Sequence, residues 1–300
     1  MYPLNYIEPV FRPPSEWKSL ILQVTNGCSY NKCTFCDMYT ADNKKFKPKK
    51  TDVIEQELLK IVTSGLPVGR VFLADGDAMM LPFNRLKEIL LLIKTHLPQV
   101  TRVSSYCLPR NLTNKTVEQL TELRALGLTL VYVGCESGDD EVLQLIEKGE
   151  TYKSSLIALN KIKQAGMKSS VMILNGLGGP ELSKQHAINS ARLMNAAQPD
   201  FLSTLVVSFP LGEERFAKNF IENNHQPFRL LEQQELFQEM KLLLSELELE
   251  KTIFRSDHAS NYLVLKGVLG KDKATLVNTV QMAIDKSTHI PLRQEWQRGL

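Results

Sequence analysis

Apolar residues fall along this 300-residue chain in two alternating rhythms. Short apolar runs at residues 19–25, 70–74, 101–107, 128–133, 168–174 and 201–209 read as buried strands. Between them, apolar positions recur at helical spacing. Ile54, Leu58, Ile61 and Val62 mark one face, which Gly65 closes, and Asp52 with Glu55 predicts a capping box ahead of it. Leu86, Ile89, Leu90, Ile93 and Leu97 mark the next, stopped by Pro98. A third helix is expected to begin near Thr113, to bury Val117, Leu120 and Leu123, and to close at Gly127. A short helix over 139–148 ends at Gly149; a longer one runs from Thr151 to Gly166, and another spans 183–197.

Six strand-then-helix units with short connections argue for parallel strands joined by right-handed crossovers. The expected fold is therefore α/β, a partial (β/α)6 TIM-like barrel, with its working residues at the carboxyl ends of the strands. Residues 1–16 hold Pro3, Pro9, Pro13 and Pro14 and read as an extended arm. Tyr2, Tyr6 and Phe11, with Trp17 just past its end, are the expected packing anchors. Residues 17–212 form the core. From 213 the character changes: residues 213–250 carry nine glutamates against four basic residues, with Leu231, Phe237, Met240, Leu244 and Leu247 at helical spacing. Another helix is expected at 274–285, so 213–300 reads as a mainly helical carboxyl-terminal cap.

A hydrophobic content of 43% and a charged content of 23% are those of an ordinary globular protein, and a net charge of +3 does not by itself argue for nucleic acid. The longest apolar runs fall far short of the ~20 residues of a membrane span. The first residues show no basic stretch followed by an apolar core, so a cytoplasmic location is expected.

The densest chemistry lies in Gly27-Cys28-Ser29-Tyr30-Asn31-Lys32-Cys33-Thr34-Phe35-Cys36, directly after the first strand. Three thiols on one short loop can converge on a single inorganic centre. Thiolates are the usual ligands of iron–sulfur clusters, and a four-iron cluster normally takes four. With three supplied here, one iron would keep an open position. Structural zinc competes for such thiols but wants four protein ligands, and the nearest histidine in sequence is His96. A disulfide is disfavoured by the odd count of five cysteines and the lack of an export signal.

The C-x4-C-x2-C spacing, with an aromatic before the last cysteine, resembles the cluster loop of the radical S-adenosylmethionine (radical SAM) superfamily, whose commonest loop has three residues in the first gap. The resemblance implies a [4Fe-4S] cluster on Cys28, Cys33 and Cys36. Its open iron would bind S-adenosyl-L-methionine (SAM), whose reductive cleavage yields a 5′-deoxyadenosyl radical that abstracts hydrogen from a substrate. A flavodoxin- or ferredoxin-like electron donor is implied as partner. Ala74-Asp75-Gly76-Asp77-Ala78 resembles the superfamily's Gly-Gly-Glu turn, with Asp75 and Asp77 as departures, and makes Gly76 and Asp77 candidates for the SAM amino group. Val133-Gly134-Cys135-Glu136-Ser137-Gly138 resembles the V-G-x-E-S-G segment of the branch with Elongator-type, methylthiotransferase-type and oxygen-independent coproporphyrinogen oxidase-type enzymes. It makes Glu136 and Ser137 candidates for the SAM ribose or carboxylate; an N-cap role for Ser137 or Asp139 competes. Asn175 and Gly176 open a glycine-rich turn expected against adenine, with Phe35 on the same base.

Other candidates carry weaker signals. Lys44, Lys45, Lys47, Lys49 and Lys50 could draw in an anionic substrate or an acidic donor protein, against the alternative of a solvated loop. Arg110 could pair with a carboxylate, though a surface role is favoured. Cys107 and Cys135 read as core packing, and Asp257-His258 as a hydrogen-bonded loop rather than a proton relay. Three functions compete: a radical enzyme of unidentified substrate, a non-catalytic haem or iron–sulfur carrier on the same fold, and an RNA-modifying radical enzyme.

Overall fold

The computed structural model describes residues 2–223 and 225–299, so Met1 of the predicted arm and Asn224 and Leu300 of the predicted cap lie outside it. The chain divides into two compact units. The first comprises residues 1–31, 38–133 and 160–169; the second comprises 32–37, 134–159 and 170–300.

In the first unit, strand β1 (Leu20–Gln23) is followed by a small hairpin of β2 (Thr25–Asn26) and β3 (Lys47–Pro48). Helix α1 (Thr51–Ser64) buries Ile54, Leu58 and Ile61, while Val62 stays exposed. It ends where Gly65 takes a left-handed φ of 67° and donates to the Val62 carbonyl. The capping box does not form. The helix starts at Thr51, one residue before Asp52, so that carboxylate acts from the first turn on the helix dipole. Strand β4 (Arg70–Ala74), α2 (Phe83–His96), β5 (Arg102–Cys107) and α3 (Val117–Ala125) follow. Residues 109–112, ahead of α3, form a 3-10 turn, and the helix begins only at Val117, where Thr116 and Gln119 cap each other. Strands β1, β4, β5 and β6 (Leu128–Glu136) pair in parallel. Phe72, Tyr106 and Tyr132 stack edge to face between them, and Tyr132 donates to the buried Glu16 at 2.6 Å. The amino-terminal arm lies along β1, with Tyr6 donating to the Ile21 carbonyl. Trp17 is not an anchor: it is 65% exposed, its ring beneath Lys18.

The second unit contains α4 (Asp140–Leu145), which stops three residues before the expected end, and most of α5 (Tyr152–Gln164). Asp139 caps α4 by accepting from the Val142 amide. Strands β7 (Lys168–Asn175) and β8 (Phe201–Val206) pair in parallel and flank α6 (Gly179–Ala197). Helices α7 (Glu214–Glu222), α8 (Gln233–Glu246) and α9 (Leu269–Ile284) follow. The carboxyl-terminal region is less helical than expected. Strand β9 (Ile253–Ser256) pairs in parallel with β8, and β10 (Leu265–Val268) pairs antiparallel with β9. Each is four residues long, too short for alternation to show in the sequence. The strand order is β1-β4-β5-β6-β7-β8-β9-β10.

Candidate functional site

In the first unit the chain leaves β1 through Val24, whose amide donates to the Ala74 carbonyl at 2.6 Å. This places the start of the cysteine loop beside the turn after β4. Two glycines make the close fit. Gly27, at φ 72°, has no room for a Cβ because the Lys44 carbonyl fills that space. Gly76, at φ 77°, presses on the Gly27 carbonyl and the Cys28 amide. The Asp75–Gly76–Asp77 turn is therefore packed onto the backbone that presents Cys28.

The two aspartates of this turn do different work. Asp75 is fully buried; its carboxylate accepts from Lys44 Nζ at 2.6 Å and Tyr39 Oη at 2.9 Å. Asp77 is buried as well. Its Oδ2 accepts from Ser29 Oγ, while its Oδ1 has no hydrogen-bond partner. Burial pushes the Asp77 carboxyl above the usual carboxylate range, with hydrogen bonds from Ser29 and Asn111 and the Arg110 charge opposing it. A buried carboxylate with one orphaned oxygen is suited to a cationic ligand.

Elsewhere on the loop, Asn31 donates from its backbone to Cys28 Sγ at 3.5 Å, and the Arg110 guanidinium lies on the Tyr30 ring at 3.7 Å. Of the five lysines in 44–50, Lys44 is bound to Asp75 and Lys49 to Glu57, so Lys45, Lys47 and Lys50 remain as the exposed ones. Cys107 is buried, its thiol donating to the Leu108 carbonyl.

The second unit holds Cys33 and Cys36. One nitrogen of Arg215, on α7, donates to the carbonyls of Cys33 (2.8 Å), Thr34 (3.2 Å) and Cys36 (3.1 Å). The Thr34 amide donates to the Ile146 carbonyl at 3.0 Å. Phe35 packs against a buried cluster that includes Val142, Ile146, Phe216 and Phe228. Over its ring, 5.5 Å from the centroid, sits Lys148 Nζ, which also donates to Glu136 Oε1 at 2.9 Å. Burial alone would lower the Lys148 pKa, but the Glu136 carboxylate and the nearby Cys33 and Cys36 sulfurs hold it well above its ordinary value. Glu136 occupies a left-handed φ of 64°. A Cβ at Gly134 would overlap Glu136 Oε1, so the carboxylate would have to shift from its place beside Lys148.

Ser137 is fully buried; its Oγ bonds His186 Nδ1 at 2.8 Å and accepts from the Asp139 amide. The side chains predicted at the end of β6 are thus engaged within the protein, Glu136 by an ion pair and Ser137 by an imidazole. Burial and the Glu136 charge push the Cys135 thiol up to about 12, so it stays neutral. At the end of β7, Asn175 is buried with an orphaned Oδ1, and the Gly176 amide donates to Glu239 on α8 at 2.7 Å. Asp257 pairs with Lys266 and His258 Nδ1 with Ser260, so these two form no dyad.

Sequence reasoning missed Lys148, Arg215 and Glu239, and took Lys44 for one of a loop of anion-drawing or solvated lysines where it is a buried ion-pair partner. A lysine inside an apolar-flanked Leu-Ile-Glu-Lys-Gly run is the one faint signal; the others reach partners far away in the chain. Among the described residues no group of three or more His, Cys, Asp or Glu side chains already encloses a metal position, and the five cysteines are all free thiols.

The sequence profile of the radical SAM superfamily matches residues 22–194, more than half of the chain. The chain belongs to the radical SAM superfamily. Curated relatives are the heme chaperones HemW of Buchnera aphidicola subsp. Schizaphis graminum (strain Sg) and of Bacillus subtilis (strain 168). The first is 20% identical over 69% of this chain and 55% of its own length, the second 24% over 58% and 47%. This radical SAM protein thus spans about half the length of the curated relatives it matches. Among solved structures, coproporphyrinogen III oxidase (HemN) from Escherichia coli, described as a radical SAM enzyme, superposes with a TM-score of 0.57 at 18% identity. The match covers 76% of this chain and 52% of that one. The likeness puts the radical SAM chain in the same fold class, an α/β partial barrel.

The residues fit the superfamily's cofactors on two counts. The loop's donors are three thiols, the ligand type an iron–sulfur cluster takes. Asp77 supplies an unsatisfied buried acceptor on the turn packed against the Cys28 backbone.

Proposed function

We propose that this protein is a radical SAM enzyme whose Cys28, Cys33 and Cys36 hold a [4Fe-4S] cluster. When bound, the cluster supplies an electron to the SAM sulfonium, splitting its bond to the 5′ carbon into methionine and a 5′-deoxyadenosyl radical that takes hydrogen from a substrate. A low-potential flavodoxin- or ferredoxin-like protein provides that electron. The observation that carries this reading is the orphaned Asp77 oxygen beside the cluster loop.

In this reading Asp77 accepts from the SAM ammonium, and Gly76 keeps the turn close to Cys28. Glu136 and Ser137 shape the ribose and carboxylate side through the groups they anchor, Lys148 among them. Phe35 and the Asn175–Gly176 turn lie against adenine, with the orphaned Asn175 Oδ1 open to its amino group. Lys148 and Arg215 steady the part of the loop carrying Cys33 and Cys36. Cys28, Cys33 and Cys36 would supply the thiolate ligands of such a cluster.

The test is anaerobic reconstitution with iron and sulfide, then SAM and a strong reductant. A four-iron spectrum and 5′-deoxyadenosine above background are expected. Retention of that spectrum by Cys33→Ala would overturn the reading.

A second reading draws on the two curated relatives, both named heme chaperones. Here the same fold carries haem without turnover. The reconstituted protein would then bind haem stoichiometrically and release no 5′-deoxyadenosine in the same assay.

A further inference from the structure

The first unit contains a cavity of about 470 Å³ whose walls come from the segments after β4 and β5. Its polar lining includes Arg110, Lys115, Asn84 and Asn114, its apolar lining Met80 and Phe83, and no carboxylate lines it. That volume is in the range of small-molecule sites.

Lys115 is the unusual wall. It is only 6% exposed, yet no carboxylate among the described residues lies within ion-pair distance of it. Its Nζ donates to the carbonyls of Met79 (2.8 Å) and Asn111 (3.0 Å). An ammonium has three donors, so one remains. Burial lowers the Lys115 pKa; Cys107 and Asp77 oppose this only through space. A buried cation answered by carbonyls alone lacks a counter-charge.

A second observation points the same way. Helix α2 begins with Phe83 and Asn84, both lining the cavity, and Pro82 at its N-cap gives no side-chain cap. The Pro82 carbonyl takes the Arg85 and Leu86 amides, which leaves the Phe83 and Asn84 amides, on two residues that line the cavity, without a side-chain cap, and the start of a 14-residue helix attracts anions. Arg110, stacked on Tyr30, adds a second cation to the same wall.

We propose that this cavity binds a small organic anion, a carboxylate or phosphate on an apolar body, with Lys115, Arg110 and the first turn of α2 around the charge and Met80 and Phe83 along the body. The cavity neighbours the Asp77 turn and the cysteine loop, but the proposal does not rest on the SAM reading and needs neither cluster nor SAM to be occupied.

The test uses the full chain as purified, with benzoate, phenyl phosphate and the neutral benzamide as probes, followed by calorimetry and NMR. Saturable binding of benzoate or phenyl phosphate is expected, the tighter of the two identifying the anion, with benzamide at least about tenfold weaker. Lys115→Met should weaken the anion by a similar factor, and Lys45→Met, on the exposed loop, should leave it unchanged. Asn84→Asp adds a charge that suits the helix start but repels an anion, so it should abolish binding in a folded protein. The proposal falls if neither anion saturates, if benzamide binds as well as benzoate, or if Asn84→Asp, with its fold intact, still binds.

Discussion

Lys44 and Asp75 form an ion pair with both side chains fully buried. Removing one partner from such a pair strands the other charge, so Lys44→Met should cost about 3–5 kcal/mol in denaturant unfolding. The loss should be partly recovered when Asp75→Asn is added, since an amide needs no counter-ion. Nothing local in the sequence marks Lys44 out from its exposed neighbours, because its partner lies 31 residues on. The cysteines, by contrast, are legible because their spacing is itself the signal. Gly134 tests the neighbouring unit: Gly134→Ala drives a methyl into the Glu136–Lys148 pair and should destabilise the fold by about 1–3 kcal/mol. A thermal melt would show it.

Among the elements, α8 reaches the site through one side chain. Glu239 is buried and accepts from the Gly176 amide and from Ser183 Oγ, fastening the helix to the turn after β7. Burial raises its carboxyl pKa above the ordinary 4.5, opposed by His186 and the two hydrogen bonds. A raised pKa means the folded protein holds this proton more tightly than the unfolded chain. The stability it lends is full below about pH 4.5 and is lost as pH rises through the folded value. Glu239→Gln removes that dependence, so the variant should gain on the natural protein between pH 5 and pH 8 in urea unfolding. Glu239→Ala should lose stability throughout. The α8 stripe itself was readable: Phe237, Met240 and Leu244 are all buried as their spacing predicts. The glutamate facing inward among them was not, since its partners come from β7 and α6. Strands β9 and β10 escaped for want of length, and α3 starts late because a 3-10 turn uses the residues before it.

For the whole molecule, the alternation of strands and helices and the cysteine spacing were enough to give the fold class and the superfamily. The substrate was not legible. The superfamily match ends at residue 194. On the proposed function, replacing any one of Cys28, Cys33 and Cys36 with alanine should abolish 5′-deoxyadenosine formation while leaving the far-ultraviolet circular dichroism unchanged, because none of the three is a core residue. An unfolded spectrum would instead make these thiols structural.

Arg215 bears on the order in which such a centre is assembled. By gripping three carbonyls between Cys33 and Cys36, it holds that stretch of backbone in shape before any iron arrives. In the proposed function those two sulfurs would then meet the iron on backbone that is already set. Arg215→Ala should then slow iron uptake about tenfold in stopped-flow absorbance, yet reach the same final occupancy.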